Sequence, residues 1–311
     1  MARLKKATTN STAMKHDQLT IVSVFGHTDG SLVIPAILKS MEELPGSRGL
    51  LLSIEKPKNL PPEIEWKQIH NLNYKQYTLF MMHSLYAFIE TDYCLTVQED
   101  GWVLNGNNLT EKYYEYDYIG PITHCAMKMD DTLNTLKHLF LQFHWCGKAD
   151  STTFVIQNGG FSLRSKRFLE ACNVHGITHT TDLGLKITGA NGREELWTPI
   201  WNEDVQLSGM LRPKLMRCGY KYAPTEVAME FGVEYLHTEL HKTMDFDTIV
   251  GHHAKSRVLL ANNVVRLPKN AGNLGMMEKR FLEWMRDKKG YKFEIDSDWQ
   301  SKFGIDAGSK G

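Results

Sequence analysis

The chain of 311 residues has no apolar run long enough to cross a bilayer. Its longest, residues 78–89, is interrupted by His83 and Ser84. The amino terminus, MARLKKATTNSTAMKHDQ, is basic and polar and carries no apolar segment of the secretory type. Neither charge is in excess. Lys and Arg number 36, as do Asp and Glu, which excludes nucleic-acid coating by bulk charge and leaves only local basic patches. Cysteine is sparse and unpaired in pattern: Cys94, Cys125, Cys146, Cys172 and Cys218 form no CxxC. That set excludes a disulfide framework and a cysteine zinc site, and the expectation is a reducing, cytoplasmic setting without integral membrane contact. Internal repeats and long low-complexity tracts are also missing. With 42% apolar and 23% charged residues the chain is an ordinary globular sequence, long enough for one large domain or two fused halves.

Residues 1–18 read as a flexible basic tail. LTIVSVF at 19–25 is a short apolar run followed by GHTDG, the pattern of a buried strand and loop. Ser31 is placed to cap a helix to about residue 44, with Pro35 in its first turn. GLLLSI at 49–54 is a second buried strand, residues 56–62 form a Pro-rich loop, and 65–70 suit a third strand. Residues 74–90 have helical length and spacing, and YCLTV at 93–97 is a strand running into Gln98, Glu99, Asp100 and Gly101. Alternating strands and helices predict an α/β fold with a mainly parallel, twisted sheet flanked by helices. Ligands bind at the carboxyl ends of such strands, so loops 26–30 and 98–101 are the first places to expect chemistry. Further on, 130–142 reads as a helix, 152–156 as a strand, 165–174 as a helix and 175–200 as an irregular insertion. A helix opens at Asn202 or Glu203, disturbed by Pro213, and residues 276–288 form an amphipathic helix followed by a polar tail.

Four constellations could carry chemistry. In YCLTVQEDGW, Asp100 directly follows a buried strand, where one carboxylate suffices to hold a hard cation whose shell is completed by phosphate. The alternative is an acidic, solubilising turn. Glu90 and Asp92 share the ExD spacing but precede the strand, at the wrong end of a parallel sheet. In IQNGGFSLRS, paired glycines let a substrate approach the backbone, or simply turn the chain; Arg164 either binds phosphate or begins a solvated helix. In WNEDV, Asn202 suits an N-cap and Glu203 and Asp204 suit the helix dipole, while Asp204 also suits a general base. In VGHHAKS, His253 is of the type that ligates metals; His237 and His241, spaced i,i+4, lack a third ligand of zinc spacing and read as structural.

Taken in order, the segments QxDG followed by an aromatic, YDYIGP, NGGFSLRS, NEDV, APxEVAxxFGVEY and GxHA resemble a glycosyltransferase-like family known only as a domain of unknown function. It is related to nucleotide-sugar transferases of the GT-A fold. The resemblance covers residues 19–255, except 175–200, and implies a GT-A-like domain there. Its nucleotide-binding half is about 19–120 and its acceptor half about 121–255; residues 256–311 form a C-terminal helical extension. It implies that Asp100 and His253 hold a divalent metal, Mn²⁺ or Mg²⁺, with Gln98 in place of the first acid of a DxD motif. Phe25, Gly26, His27, Thr28 and Asp29 would hold the nucleoside of a donor, a UDP-sugar for preference. Asn158, Gly159, Gly160 and Trp201 would line sugar and acceptor, and Asp204, with Glu203 beside it, would be the base of an inverting transfer. A non-catalytic nucleotide-sugar-binding module and a metal-dependent nucleotide-sugar hydrolase are the competing classes.

The acceptor classes that the resemblance implies are a glycan and a hydroxylated or hydroxymethylated pyrimidine in DNA. For DNA, the basic tail (Arg3, Lys5, Lys6, Lys15) and EKRFLEWMRDKKGYKF offer phosphate contacts with interleaved aromatics. The same segment also reads as a helix docking through Phe281, Leu282, Trp284 and Met285. The metal assignment makes a direct prediction. Asp100→Ala abolishes Mn²⁺- or Mg²⁺-dependent binding of a nucleoside diphosphate in calorimetry, whereas Glu90→Ala and Asp92→Ala leave it unchanged.

Overall fold

The computed structural model describes residues 16–134, 136–140, 150–180, 186–188, 194–196, 201–268 and 274–296. Along the strand Leu19–Phe25, Leu19, Ile21 and Phe25 pack into one apolar cluster, and Val22 and Val24 into another on the opposite face. This is the two-residue side-chain period of a strand covered on both sides. It pairs in parallel with Arg48–Ser53 on one side and Tyr93–Thr96 on the other. Ile64–Gln68 extends the sheet in parallel, and Ser162–Ser165 and Tyr118–Ile119 complete six strands in antiparallel. The helix Ile34–Glu43 buries Ala36 and Ile37 against the first face; Tyr74–His83 sends Met81 into the second. The mixed α/β architecture with a mainly parallel sheet is therefore present.

Local chemistry sets the element ends. Asn73 and Gln76 form a reciprocal capping box that starts the helix Tyr74–His83. That helix stops short of residue 90, giving way to a tighter turn at Leu85–Phe88. Ser31 does not cap; it opens the 3₁₀ turn Ser31–Val33 after Gly30, whose φ is 73°, and its N–H donates to Asp29 Oδ1 at 3.0 Å.

Two expectations are corrected. Residues 130–134 and 136–140 are not helical. Asp130 accepts hydrogen bonds from the Asn134 N–H and the Thr132 hydroxyl, and Leu133 has φ 58°, local bonding that competes with a helix. Leu136–Phe140 then pairs antiparallel with Ile122–Met129, which also pairs with Thr153–Gln157. Residues 141 and 142 lie outside the described residues. Within 175–200, Lys186–Thr188 and Glu194–Leu196 pair as a small antiparallel ribbon.

The C-terminal extension has the expected helix, Met276–Lys289, and more besides. Lys292–Asp296, read from sequence as polar tail, pairs in parallel with Val264–Pro268, itself antiparallel to Val258–Leu259. Met277, Phe281, Leu282 and Met285 join the same apolar cluster as Leu19 and Ile21, with Trp284 packed against it. No helix among the described residues is long and apolar enough to cross a membrane. Cys94, Cys125, Cys172 and Cys218 are free thiols; Cys146, Arg3, Lys5, Lys6 and Lys15 lie outside the described residues.

Among the polar bonds that tie the extension to the core, the buried Trp102 Nε1–H donates to the Tyr291 hydroxyl at 2.8 Å. Tyr291→Phe leaves that indole N–H unpaired. Urea denaturation should show a loss of about 1–3 kcal/mol.

Candidate active site

The segment 98–101 is a tight turn at the carboxyl end of Tyr93–Thr96: Gln98 and Gly101 exchange backbone hydrogen bonds at 3.2 and 3.0 Å. Gly101 also pairs with His253 on the strand Gly251–His253, and a Cβ there would stand 3.0 Å from both the His252 carbonyl oxygen and the His253 ring. The glycine is needed for this close approach between strands, a different reason from the turn itself. Asp100 is thereby carried beneath His253. Glu90, by contrast, is exposed and paired with Arg48 at 3.2 Å, and Asp92 is exposed at the opposite end of the strand.

His253 Nε2 lies 3.0 Å from Gln98 Oε1 and 3.2 Å from Asp100 Oδ1. Its Nδ1 faces Glu234 Oε1 at 3.7 Å, and Glu234 Oε1 accepts from Asn158 Nδ2 at 3.2 Å. The Gln98 amide is oriented by its Nε2, which donates to the Tyr77 hydroxyl at 3.4 Å. Burial opposes charge on both partners, but each overcomes it for the other: the imidazole is pushed up to about 10 and the Asp100 carboxyl is held below its ordinary value.

Gln98 Oε1, Asp100 Oδ1 and His253 Nε2 are oxygen and nitrogen atoms that could enter the shell of a divalent cation once the imidazole gives up the proton that Nε2 shares with them. Among the described residues no three His, Cys, Asp or Glu side chains are grouped to hold a metal alone, so Gln98 and a ligand's own oxygens have to complete such a shell.

The two acids of the helix start have different surroundings. Glu203 Oε1 pairs at 3.0 Å with Arg164 Nη2. Arg164 is neither a surface residue nor a free phosphate binder: it is fully buried, donating also to the Gly159 carbonyl at 3.1 Å and to Ser162 Oγ at 2.9 Å. Among the described residues Asp204 has no cation beside it. Its Oδ1 accepts from the Val205 N–H at 2.7 Å and its Oδ2 from the Gly159 N–H at 3.3 Å. Its side chain is half-buried and opens to a cavity. Burial, with Glu203 and Glu234 nearby, pushes its carboxyl up to about 7. Asn202 precedes these acids but makes no side-chain cap; it accepts a hydrogen bond from the Tyr74 hydroxyl instead. The helix Glu203–Val205 then widens into the π-turn Gln206–Met210, where Ser208 Oγ donates to the Asp204 carbonyl at 2.7 Å and accepts from the Gln157 N–H at 2.9 Å. This fastens the acids to the strand Thr153–Gln157.

The paired glycines make room for these side chains. A Cβ on Gly159 would fall 2.0 Å from Glu203 Oε1, and one on Gly160 would fall 2.4 Å from His253 Nε2. Two cavities meet here. One, of about 280 Å³, is lined by Gln98, Asn158, Gly160, His253, Glu203, Asp204 and Glu234, with Tyr235 and Lys255 also lining it. The other, of about 430 Å³, is lined by Phe25, Gly26, His27, Leu72 and Glu99. Tyr74, Tyr77 and Gln98 line both.

Most sequence-proposed residues are thus brought together, but not all. Thr28 and Asp29 line neither cavity: Thr28 Oγ1 accepts from the Gly30 N–H at 3.3 Å and Asp29 caps the following turn. Trp201 lies outside both, stacked on His179 at 4.8 Å with Lys75 over its ring. Asp100 and Gly159 are in the site through His253 and Glu203 and do not line it themselves. Sequence reasoning missed Tyr74, Tyr77, Lys255 and Glu234. Glu234 follows the strand Gly232–Val233, the parallel neighbour of Gly251–His253, and the strand-end rule that selected Asp100 would also have found it.

A family model described as "Protein of unknown function (DUF5672)" matches residues 63–253. No curated protein matches the chain. Among solved structures, the chain is similar to the galactosyltransferase LgtC in complex with donor and acceptor sugar analogs, at 11% identity and a TM-score of 0.40 over 91% of this chain and 99% of that one. It is similar to the mannosyltransferase Ktr4p from S. cerevisiae in complex with GDP, at 11% identity and a TM-score of 0.31 over 51% of this chain and 61% of that one, less than two thirds of the yeast chain. CMP:2-keto-3-deoxy-manno-octonic acid synthetase complexed with CTP is similar at 8% identity and a TM-score of 0.31, over 65% and 86%. All of these structural likenesses are distant.

The raised Asp204 carboxyl has a signature in stability. Between its unfolded value and about pH 7 the folded chain binds the proton more tightly, so stability present at low pH is lost as pH rises through 7. Asp204→Asn removes that titration. The melting temperature of the variant relative to wild type should therefore rise between pH 5 and pH 8, measured by calorimetric scans across that range.

Proposed function

The chain belongs to the family of unknown function described by that model, and from its own site we propose that it transfers a sugar from a nucleotide-sugar donor to a hydroxyl acceptor. The observation that carries this reading is that a carboxyl raised to about 7, Asp204, shares one cavity with the Gln98–His253 cluster that covers Asp100. A general base works best when its pKa lies near the working pH.

The adjoining cavity suits the nucleoside: Phe25 and His27 stack at 5.6 Å and offer a flat face for a base. The diphosphate then lies toward Gln98, His253 and Lys255. Asp100, His253 and Gln98 are the residues that would hold Mn²⁺ or Mg²⁺, which when bound supplies positive charge for the leaving diphosphate. In the reaction, the bond between the anomeric carbon and the diphosphate oxygen breaks and its electron pair leaves with the nucleoside diphosphate. The acceptor oxygen bonds to the same carbon, and its proton passes to Asp204. A single displacement of this kind inverts the anomeric centre. Glu203, paired with Arg164, orients the backbone beside Asp204 through Gly159.

A UDP-sugar is the preferred donor, and glycans and hydroxymethylated DNA are the acceptor classes to offer. A non-catalytic binding module gives no reason for a half-buried carboxyl raised to about 7, and perturbed acids in a cleft cluster at working sites. A hydrolase would consume donor without an acceptor product. Intact-mass screening for acceptor-dependent sugar addition separates these readings, and donor loss without any acceptor product would count against transfer. Asp204→Asn should lower turnover on the order of 10²-fold with nucleoside diphosphate affinity retained, and wild-type turnover should rise with pH through about 7.

A further inference from the structure

We propose that Arg257 and Glu278 form a positioning pair through which the C-terminal helix sets the geometry of the diphosphate end of the site; this rests on the transferase reading above. Arg257 is fully buried, and its Nη1 pairs with Glu278 Oε1 at 2.5 Å. Its Nη2 points the other way, toward the carbonyl oxygens of Glu234 at 3.3 Å and His253 at 3.4 Å, while its face lies 4.8 Å over the Phe281 ring. One guanidinium therefore bridges the backbones of the two residues whose side chains meet inside the cavity. Ser256 Oγ adds a second donor to Glu278 at 3.4 Å.

The planar guanidinium can hold a carboxylate at one edge and two carbonyls at another; an ammonium cannot reproduce that fork. The Nε of Arg257 has no partner, so Glu278 is the charge that makes the burial of this cation tolerable. Removing the Glu278 charge leaves a buried cation to find other acceptors, and the nearest are the same two carbonyls. A shift there is passed to Glu234 and His253, and through His253 to Asp100 and Gln98. Glu234 and His253 lie within the family-matched residues 63–253, whereas Arg257 and Glu278 lie beyond them. The matched segment is thus supported at its site by residues that the match does not include. Partners one step removed from a metal or diphosphate typically change its affinity 10- to 100-fold.

The test is calorimetric titration of the full chain with UDP in the presence of Mn²⁺, at a temperature well below unfolding. Glu278→Gln, which keeps the shape and loses the charge, should weaken binding on the order of 10-fold, and Glu278→Asp should recover most of it. Arg257→Lys should weaken it similarly and carries the test if Glu278→Gln fails to fold. Arg280→Gln is the structural control: it lies on the same helix but holds the carbonyls of Lys242 and Met244, so it should lower thermal stability and leave the affinity unchanged. Unchanged affinity in Glu278→Gln and Arg257→Lys, with wild type binding normally, overturns the pair's role. An equal loss in Arg280→Gln overturns it too, because the effect would then be general loosening of the helix. Wild type failing to bind UDP or any other nucleoside diphosphate overturns the transferase reading and this inference with it.

Discussion

A guanidinium sealed from water must keep an anion and several oxygen acceptors in contact, because leaving any of its charge unpaired costs several kcal/mol. The arrangement of this site follows from that requirement at Arg164, which satisfies its Nε and Nη2 and leaves Nη1 without a hydrogen bond. The residue belongs to the antiparallel strand Ser162–Ser165 and has no exposure. Its needs draw in Glu203 from a helix start, the Gly159 carbonyl from the preceding loop and Ser162 from its own strand. Tyr118, from the sheet edge, lies under the guanidinium at 5.2 Å. Glycine at position 159 is then dictated by the room that Glu203 needs. Once Glu203 is spent on this pair, the adjacent Asp204 is left without a cation among the described residues, facing a cavity, and its proton affinity rises. One ion pair thus gives two neighbouring carboxyl groups different surroundings, Glu203 held by a guanidinium and Asp204 by backbone N–H groups alone.

The first half of the fold was legible in the sequence because its strands are buried on both faces and read as unbroken apolar runs. The strand Leu19–Phe25 has the bounds its sequence predicts, and the placement of Asp100 follows from strand order alone. The approach of His253 and the pairing of Glu203 with Asp204 were legible as motifs. Their partners were not, because each partner is distant in sequence. Arg164 in SLRSKRF looks like the start of a solvated helix, and only the sheet pairing with Tyr93–Thr96 shows that it points inward. Tyr74 and Tyr77 sit on a helix whose pattern announces packing and says nothing of a cavity rim.

The misread segment at 130–142 shows a second limit. A stretch of a dozen residues with scattered apolar positions satisfies either period, and the decision was made by a turn: Asp130 bonding forward to Asn134, and Leu133 in a left-handed conformation. The extension was misread for a related reason. KFEID alternates too briefly to declare a strand, and only the parallel edge of Val264–Pro268 gives it a partner.

The packing of Met277, Phe281 and Met285 onto the cluster that contains Leu19 and Ile21 has a consequence for folding kinetics. The partners lie far apart in sequence, and contacts of such long separation form slowly. A folding intermediate in which the helix Met276–Lys289 has not yet docked exposes part of that apolar cluster and is the species most open to self-association.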